Sequence, residues 1–126
     1  MERRQEERRK ALEQEASFVE AKGRFFGVEF SDGEICIKVL DSVEAIRQEG
    51  EAMHHCVFTN EYYLKADSLI LSATIDGKRI ETIEVSLKRM EVVQSRGVCN
   101  KNTLYHGQIL KLMKGNMSLI RKRMTA

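Results

Sequence analysis

Two histidines and a cysteine stand together in Met53-His54-His55-Cys56-Val57, in a chain holding only three of each type. A base or cation beside a thiol lowers its pKa and makes it a nucleophile. Adjacent side chains rarely point the same way, so the useful partner for Cys56 would be His54 or His106, and no third group to orient that base is evident. Zinc-ligand types recur at His54, His55, Cys56, Cys99 and His106. No Cys-x-x-Cys or His-x3-His spacing joins them, however, so neither metal nor cofactor is expected. The structural alternative buries Cys56, since free cysteine is among the most buried residue types.

A second cluster is Gln94-Ser95-Arg96-Gly97-Val98-Cys99-Asn100. A strand ending in Gln and Arg, then Gly, then a capped helix brings backbone N–H groups and a guanidinium together, which suits phosphate or carboxylate. The competing reading is a plain connection, with Asn100 as cap and Arg96 paired to an acid such as Glu84. The third group is electrostatic. Net charge is only +2, yet residues 101–126 carry Lys101, Lys111, Lys114, Arg121, Lys122 and Arg123 with no acid. Such an end meets phosphate or an acidic protein surface; the simpler account is a solvated helix end, where cations suit the dipole. There is no Walker loop, dinucleotide fingerprint, zinc-protease helix, nucleophile elbow or calcium loop. Aromatics are few and not interleaved with basic residues, which argues against an RNA-stacking sheet.

The elements that must position these residues follow from periodicity. Residues 2–21 read as a charged helix with a thin stripe of Leu12, Ala16, Val19 and Phe18, ended by Gly23. Alternation at 26, 28 and 30 and at 35, 37 and 39 gives two strands joined through Ser31-Asp32-Gly33-Glu34. Asp41 and Glu44 form a capping-box pattern ahead of a helix carrying Val43, Ile46, Gly50 and Met53. Residues 58–63 show no period and read as a loop. Across Asp76-Gly77, a two-residue turn read as a plain hairpin puts Leu69, Leu71 and Ala73 with Thr82 and Glu84. A three-residue loop, Ile75-Asp76-Gly77 with a bulge at Gly77, instead pairs Thr74 with Lys78 and gathers Leu69, Leu71, Ala73, Ile83, Val85 and Leu87 on one face. The bulged register is the expectation, with Thr82 and Glu84 on the opposite face. A strand at 91–96 and a final helix, capped by Asn100 or Asn102 and buried along Tyr105, Ile109, Leu112, Met113 and Leu119, complete the chain.

The order is α-β-β-α-β-β-β-α. It predicts an α+β fold with a mostly antiparallel sheet of about five strands and helices segregated to one face. The organisation expected is a charged helix over 1–22 and one domain over 23–126. At 126 residues with 42% hydrophobic content, the chain is sized to bury one core. The first seven residues have no leader-like apolar stretch, no apolar run nears the roughly 18 residues of a membrane span, and three cysteines are odd and sparse. Cytoplasmic location with reduced thiols, and no membrane partner, are expected.

Met53-His54-His55-Cys56-Val57, Tyr63, Ser68-Leu69-Ile70-Leu71-Ser72, Thr82-Ile83-Glu84-Val85, Gln94-Ser95-Arg96-Gly97 and Asn100 together resemble the PcfJ-like family, over about residues 50–108. The resemblance implies a setting on conjugative plasmids, integrated elements and phages, without an assigned reaction. It marks His55, Cys56, Thr82, Glu84, Gln94, Arg96 and Asn100 as characteristic positions. Three functions are therefore carried forward. The first is an accessory module of a mobile element acting on DNA, RNA or a nucleoprotein, through Lys111, Lys114, Arg121, Lys122 and Arg123. The second is an enzyme with His55, Cys56 and Glu84 as catalytic groups and Thr82, Gln94, Arg96 and Asn100 as binding groups. The third is a protein-interaction domain using the Phe25-Phe26 hairpin edge.

Overall fold

A computed structural model describes residues 2–55 and 64–125 of the chain. These form α1 (Glu2–Lys22), β1 (Glu29–Ser31), β2 (Cys36–Val39), α2 (Val43–Met53), β3 (Ser68–Ile75), β4 (Lys78–Ser86), β5 (Glu91–Arg96) and α3 (His106–Met124). The five strands run β1-β2-β3-β4-β5 in one fully antiparallel sheet. The class and the element order are those the periodicity predicts.

The predicted apolar face is present: Leu69, Leu71, Ala73, Ile83, Val85 and Leu87 join Ile35, Ile37 and Val39 in the main core. α3 closes it with Ile109, Met113 and Ile120, all fully buried. Each contributes about 2 kcal/mol of apolar burial. The turn that delivers this register differs from the expected three-residue loop. Ile75 pairs with Lys78 across a two-residue Asp76-Gly77 turn, with φ of 49° and 80°, and the shift comes later, between Ala73 and Thr74. Thr74 pairs with Arg79 and Ala73 with Glu81, so Ile80 is the extra residue. A tight turn and a bulge together achieve what one wider loop would have done.

The helices divide between the two faces instead of gathering on one. α1 and α2 lie opposite α3, where Phe18, Leu40, Ile46 and Ile70 form a small second cluster. Phe26 stacks on Phe18 with ring centroids 5.6 Å apart. Phe25, expected at an exposed hairpin edge, is in the main core at 1% exposure and offers nothing to a partner.

The caps also move. Ser42, not Asp41, caps α2, its hydroxyl accepting from Ala45 N at 2.9 Å while Glu15 of α1 accepts from Val43 N at 3.0 Å. α3 begins at His106 without a side-chain cap, so neither Asn100 nor Asn102 serves. On that side of the sheet, buried hydrogen bonds accompany the small second cluster.

Candidate functional site

α2 ends in a left-handed residue, His54 (φ 56°), and His55 N–H returns to Gly50 O at 3.0 Å. This Schellman-type ending turns the chain back, and His55 lands on the sheet at 3% exposure. Its Nε2 sits 2.9 Å from Thr82 Oγ1, and Thr82 donates its only proton to Glu49 Oε2 at 2.5 Å. The Thr82 oxygen is thus the acceptor from the imidazole, which fixes the proton on Nε2. Glu49 Oε1 accepts from Ser72 Oγ at 2.9 Å and from Arg79 Nε at 2.8 Å. Burial holds the His55 pKa below its ordinary value, the Gly97 backbone pulling the other way and the nearby His54 adding to the fall. Glu49 and Thr82 are at 1% and 0% exposure. A cleft of about 360 Å³, lined in part by Lys38, Asp41, Gln48, Glu49, Ser72 and Arg79, opens beside this network.

One step along the same face lies a second group. Glu84 accepts from Ser68 Oγ at 2.6 Å and from Gln94 Nε2 at 2.8 Å. Asp67 accepts from Ser86 Oγ at 2.7 Å and from Lys88 N at 2.6 Å, which keeps its carboxyl below the ordinary aspartate range. Lys22, at the end of α1 and 2% exposed, donates to the carbonyls of Lys65 (2.7 Å), Ala66 (3.1 Å) and Ser68. Burial pushes its ammonium down to about 8, against the pull of Asp67.

A third network lies on the α3 side. Glu81 is fully buried and accepts four bonds: Ser95 Oγ at 2.7 Å, His106 Nδ1 at 2.8 Å, Thr103 N at 2.9 Å and Thr103 Oγ1 at 2.7 Å. Burial pushes its carboxyl up, but the bonds from His106, Thr103 and Ser95 together outweigh it and hold the pKa below the usual glutamate value.

A family model described as PcfJ-like protein matches residues 1–110, from α1 to the start of α3. The chain belongs to the PcfJ-like family. The match is wider than the stretch in which the resemblance is readable by eye, and takes in α1 and the β1–β2 hairpin. Searches of curated proteins and of solved structures returned no match. No helix among the described residues is long and apolar enough to cross a membrane.

The characteristic positions of the PcfJ-like resemblance fall mainly on the polar face. His55 meets Thr82, and Glu84 meets Gln94. Arg96 pairs across the sheet with Thr82, yet its guanidinium is exposed and donates to Asn100 O at 3.3 Å, while Glu84 is bound by Ser68 and Gln94. Asn100 sits in a left-handed turn (φ 62°) of the loop after β5. Cys56 lies outside the described residues, as does the expected loop at 58–63. Among the described residues, no three His, Cys, Asp or Glu side chains gather as a metal site would require. Glu49, Glu81 and Lys22 were not singled out from sequence. Their signal is positional: Glu49 and Lys22 follow Ile46 and Phe18 at helical spacing, and Glu81 shares strand parity with Ile83.

Of the basic end, Lys111, Lys114, Arg121 and Lys122 are exposed on the side of α3 away from Ile109, Met113 and Ile120. Arg123 is half-buried and donates to the carbonyls of Arg24 and Phe26, both at 3.2 Å.

Proposed function

We propose that this PcfJ-like protein is a cytoplasmic accessory module of a mobile genetic element, plasmid or phage, that binds DNA or RNA through the outer face of α3. The observation that carries the reading is the shared exposure of Lys111, Lys114, Arg121 and Lys122 on one side of a helix without acids. From Lys111 to Lys122 the stripe runs about 16 Å, enough to follow several phosphates of one strand. These four residues lie beyond the matched residues 1–110, so the reading rests on this chain's own charge pattern. Arg123 is left out of the binding set because its guanidinium already ties the chain at Arg24 and Phe26.

Fluorescence anisotropy with duplex and single-stranded oligonucleotides tests it. Neutralising about four phosphates predicts an affinity loss of roughly 100-fold between 50 and 200 mM salt. Reversal of Lys111, Lys114, Arg121 and Lys122 to glutamate is expected to abolish binding while leaving thermal stability intact. Absent binding at low salt, or binding indifferent to salt, sinks the proposal.

A second reading is favoured by the position of the His55–Thr82–Glu49 chain against a polar cleft. In it the protein is an enzyme with His55, Cys56 and Glu84 as reacting groups and Thr82, Gln94, Arg96 and Asn100 as binding groups. Thiol reactivity separates the two. In a Cys36→Ser, Cys99→Ser background, an activated Cys56 alkylates well below pH 8, whereas an unactivated one does not.

A further inference from the structure

The loop between β5 and α3 presents apolar side chains that the fold does not use. Leu104 is fully exposed (101%) and Val98 is 48% exposed. With Ile80, the bulge residue of β4, and Tyr105 they line a cleft of about 330 Å³. The volume is in the range of ligand-sized clefts, and its wall is largely hydrocarbon. Lys101 and Arg79 stand among its lining residues and no acid does; Arg79 Nε is bound to buried Glu49 at 2.8 Å, which leaves Lys101 as the main charge of the rim.

This loop is held rigid from several sides. Gly97 N–H donates to Lys101 O at 2.7 Å and Asn100 N–H to Gly97 O at 3.0 Å. Cys99 and Asn100 both adopt left-handed backbone, φ 57° and 62°, which costs non-glycine residues energy and persists only where surroundings impose it. A Cβ on Gly97 would lie 2.6 Å from Thr103 Cγ2 and 2.8 Å from Lys101 O. Below the loop, buried Glu81 grips Thr103 by both its N–H and its hydroxyl. A frame ordered this thoroughly spares a partner most of the entropy of docking. Nothing in core packing calls for a leucine at a position with no buried surface.

We propose that this cleft docks an acidic segment of a partner protein, one aliphatic or aromatic side chain entering between Val98, Leu104 and Tyr105 while a flanking carboxylate meets Lys101. Charge selects the partner's chemistry: a cationic rim without acids attracts carboxylates and repels a basic segment. The apolar wall supplies the anchor typical of interface centres. This surface is separate from the outer face of α3 and does not depend on nucleic-acid binding.

The test uses the full chain and short acetylated peptides holding one leucine or phenylalanine between glutamates, with lysine-flanked and alanine-centred controls. Amide chemical shifts are followed by NMR during titration. Saturable shifts at Val98, Lys101 and Leu104 are expected with the acidic peptides. Leu104→Asp and Lys101→Glu should each weaken binding at least tenfold, and both side chains are exposed, so the fold is kept. The proposal is overturned if lysine-flanked peptides bind equally well, if Leu104→Asp leaves affinity unchanged, or if no peptide shifts these amides at millimolar concentration. It is also overturned if an oligonucleotide shifts the same three amides and competes with the peptide, since the cleft would then serve the nucleic acid.

Discussion

Thr82 has one proton and must satisfy two neighbours, Glu49 and His55, in a place without water-facing surface. Replacing it with valine keeps the shape and removes both bonds, leaving a buried Glu49 oxygen short of a donor and taking one bond from His55. Unmade buried hydrogen bonds to charged groups are costly. Urea denaturation of Thr82→Val should show a loss of about 2–4 kcal/mol, and Thr74→Val, half-buried two strand positions before the turn, a loss below about 1 kcal/mol. Protonation sets a further expectation at this scale. His55 is a base whose folded pKa is lowered, so as pH falls from 6.5 the unfolded chain takes up the proton first and stability drops. Glu81 is an acid whose folded pKa is lowered, so its contribution is intact above 4.5 and disappears as pH descends through its folded value. In thermal melts across pH, His55→Gln should flatten the profile just below 6.5 and Glu81→Gln the profile below 4.5. Unchanged slopes in both variants would refute the assignment.

At the scale of elements, the connection from β5 to α3 depends on Gly97, because the strap of residues 97–103 crosses directly over its Cα. Gly97→Ala retains an allowed φ of −84° but forces Thr103 or the Lys101 carbonyl aside. Overpacking of this kind costs about 1–3 kcal/mol, and hydrogen exchange at Val98–Thr103 should accelerate with it. The elements themselves were largely legible, since alternation in 69–73 and 83–87 fixes which side chains share the core whatever the turn. What alternation does not carry is how the chain reaches that register: a tight Asp76-Gly77 turn followed by an extra residue at Ile80 and one wider loop have the same core outcome. The polar networks were half legible. Thr82 with His55 and Glu84 with Gln94 sit at positions the sequence reading had marked. Glu49, Glu81 and Lys22 did not stand out, because each occupies a place that periodicity reserves for an apolar residue, and a charge there reads as an interruption. A charged residue on an apolar stripe has to find partners from other elements, and pattern along one element says nothing about those. The alternative pairing of Arg96 with an acid such as Glu84 is not what the structure shows, for the opposite reason. Arg96 stands opposite Thr82, and a long side chain at a sheet edge reaches solvent more readily than a buried acid.

For the molecule as a whole, α1 is joined to the sheet by few but specific contacts: Phe18 in the second cluster, Glu15 on the start of α2, and Lys22 on three carbonyls at the entry to β3. Lys22→Met would keep the packing of the stem and strand those carbonyls. A loss of about 3 kcal/mol or more is expected, with protease cleavage near residues 64–67 appearing before cleavage elsewhere; a variant as stable as the parent would show the latch to be idle. Apart from the Glu81 network on the α3 side and the small apolar cluster opposite it, the two sides of the sheet are therefore held mainly by different kinds of force. One relies on area, which any aliphatic side chain of suitable volume supplies. The other relies on direction, which only particular atoms at particular places supply. Random drift can accumulate on the first and stalls on the second, where a methyl in place of a hydroxyl is a defect. The letters by which a distant relative of this protein can be told apart will then lie where the fold is least forgiving, whether or not any substrate ever touches them.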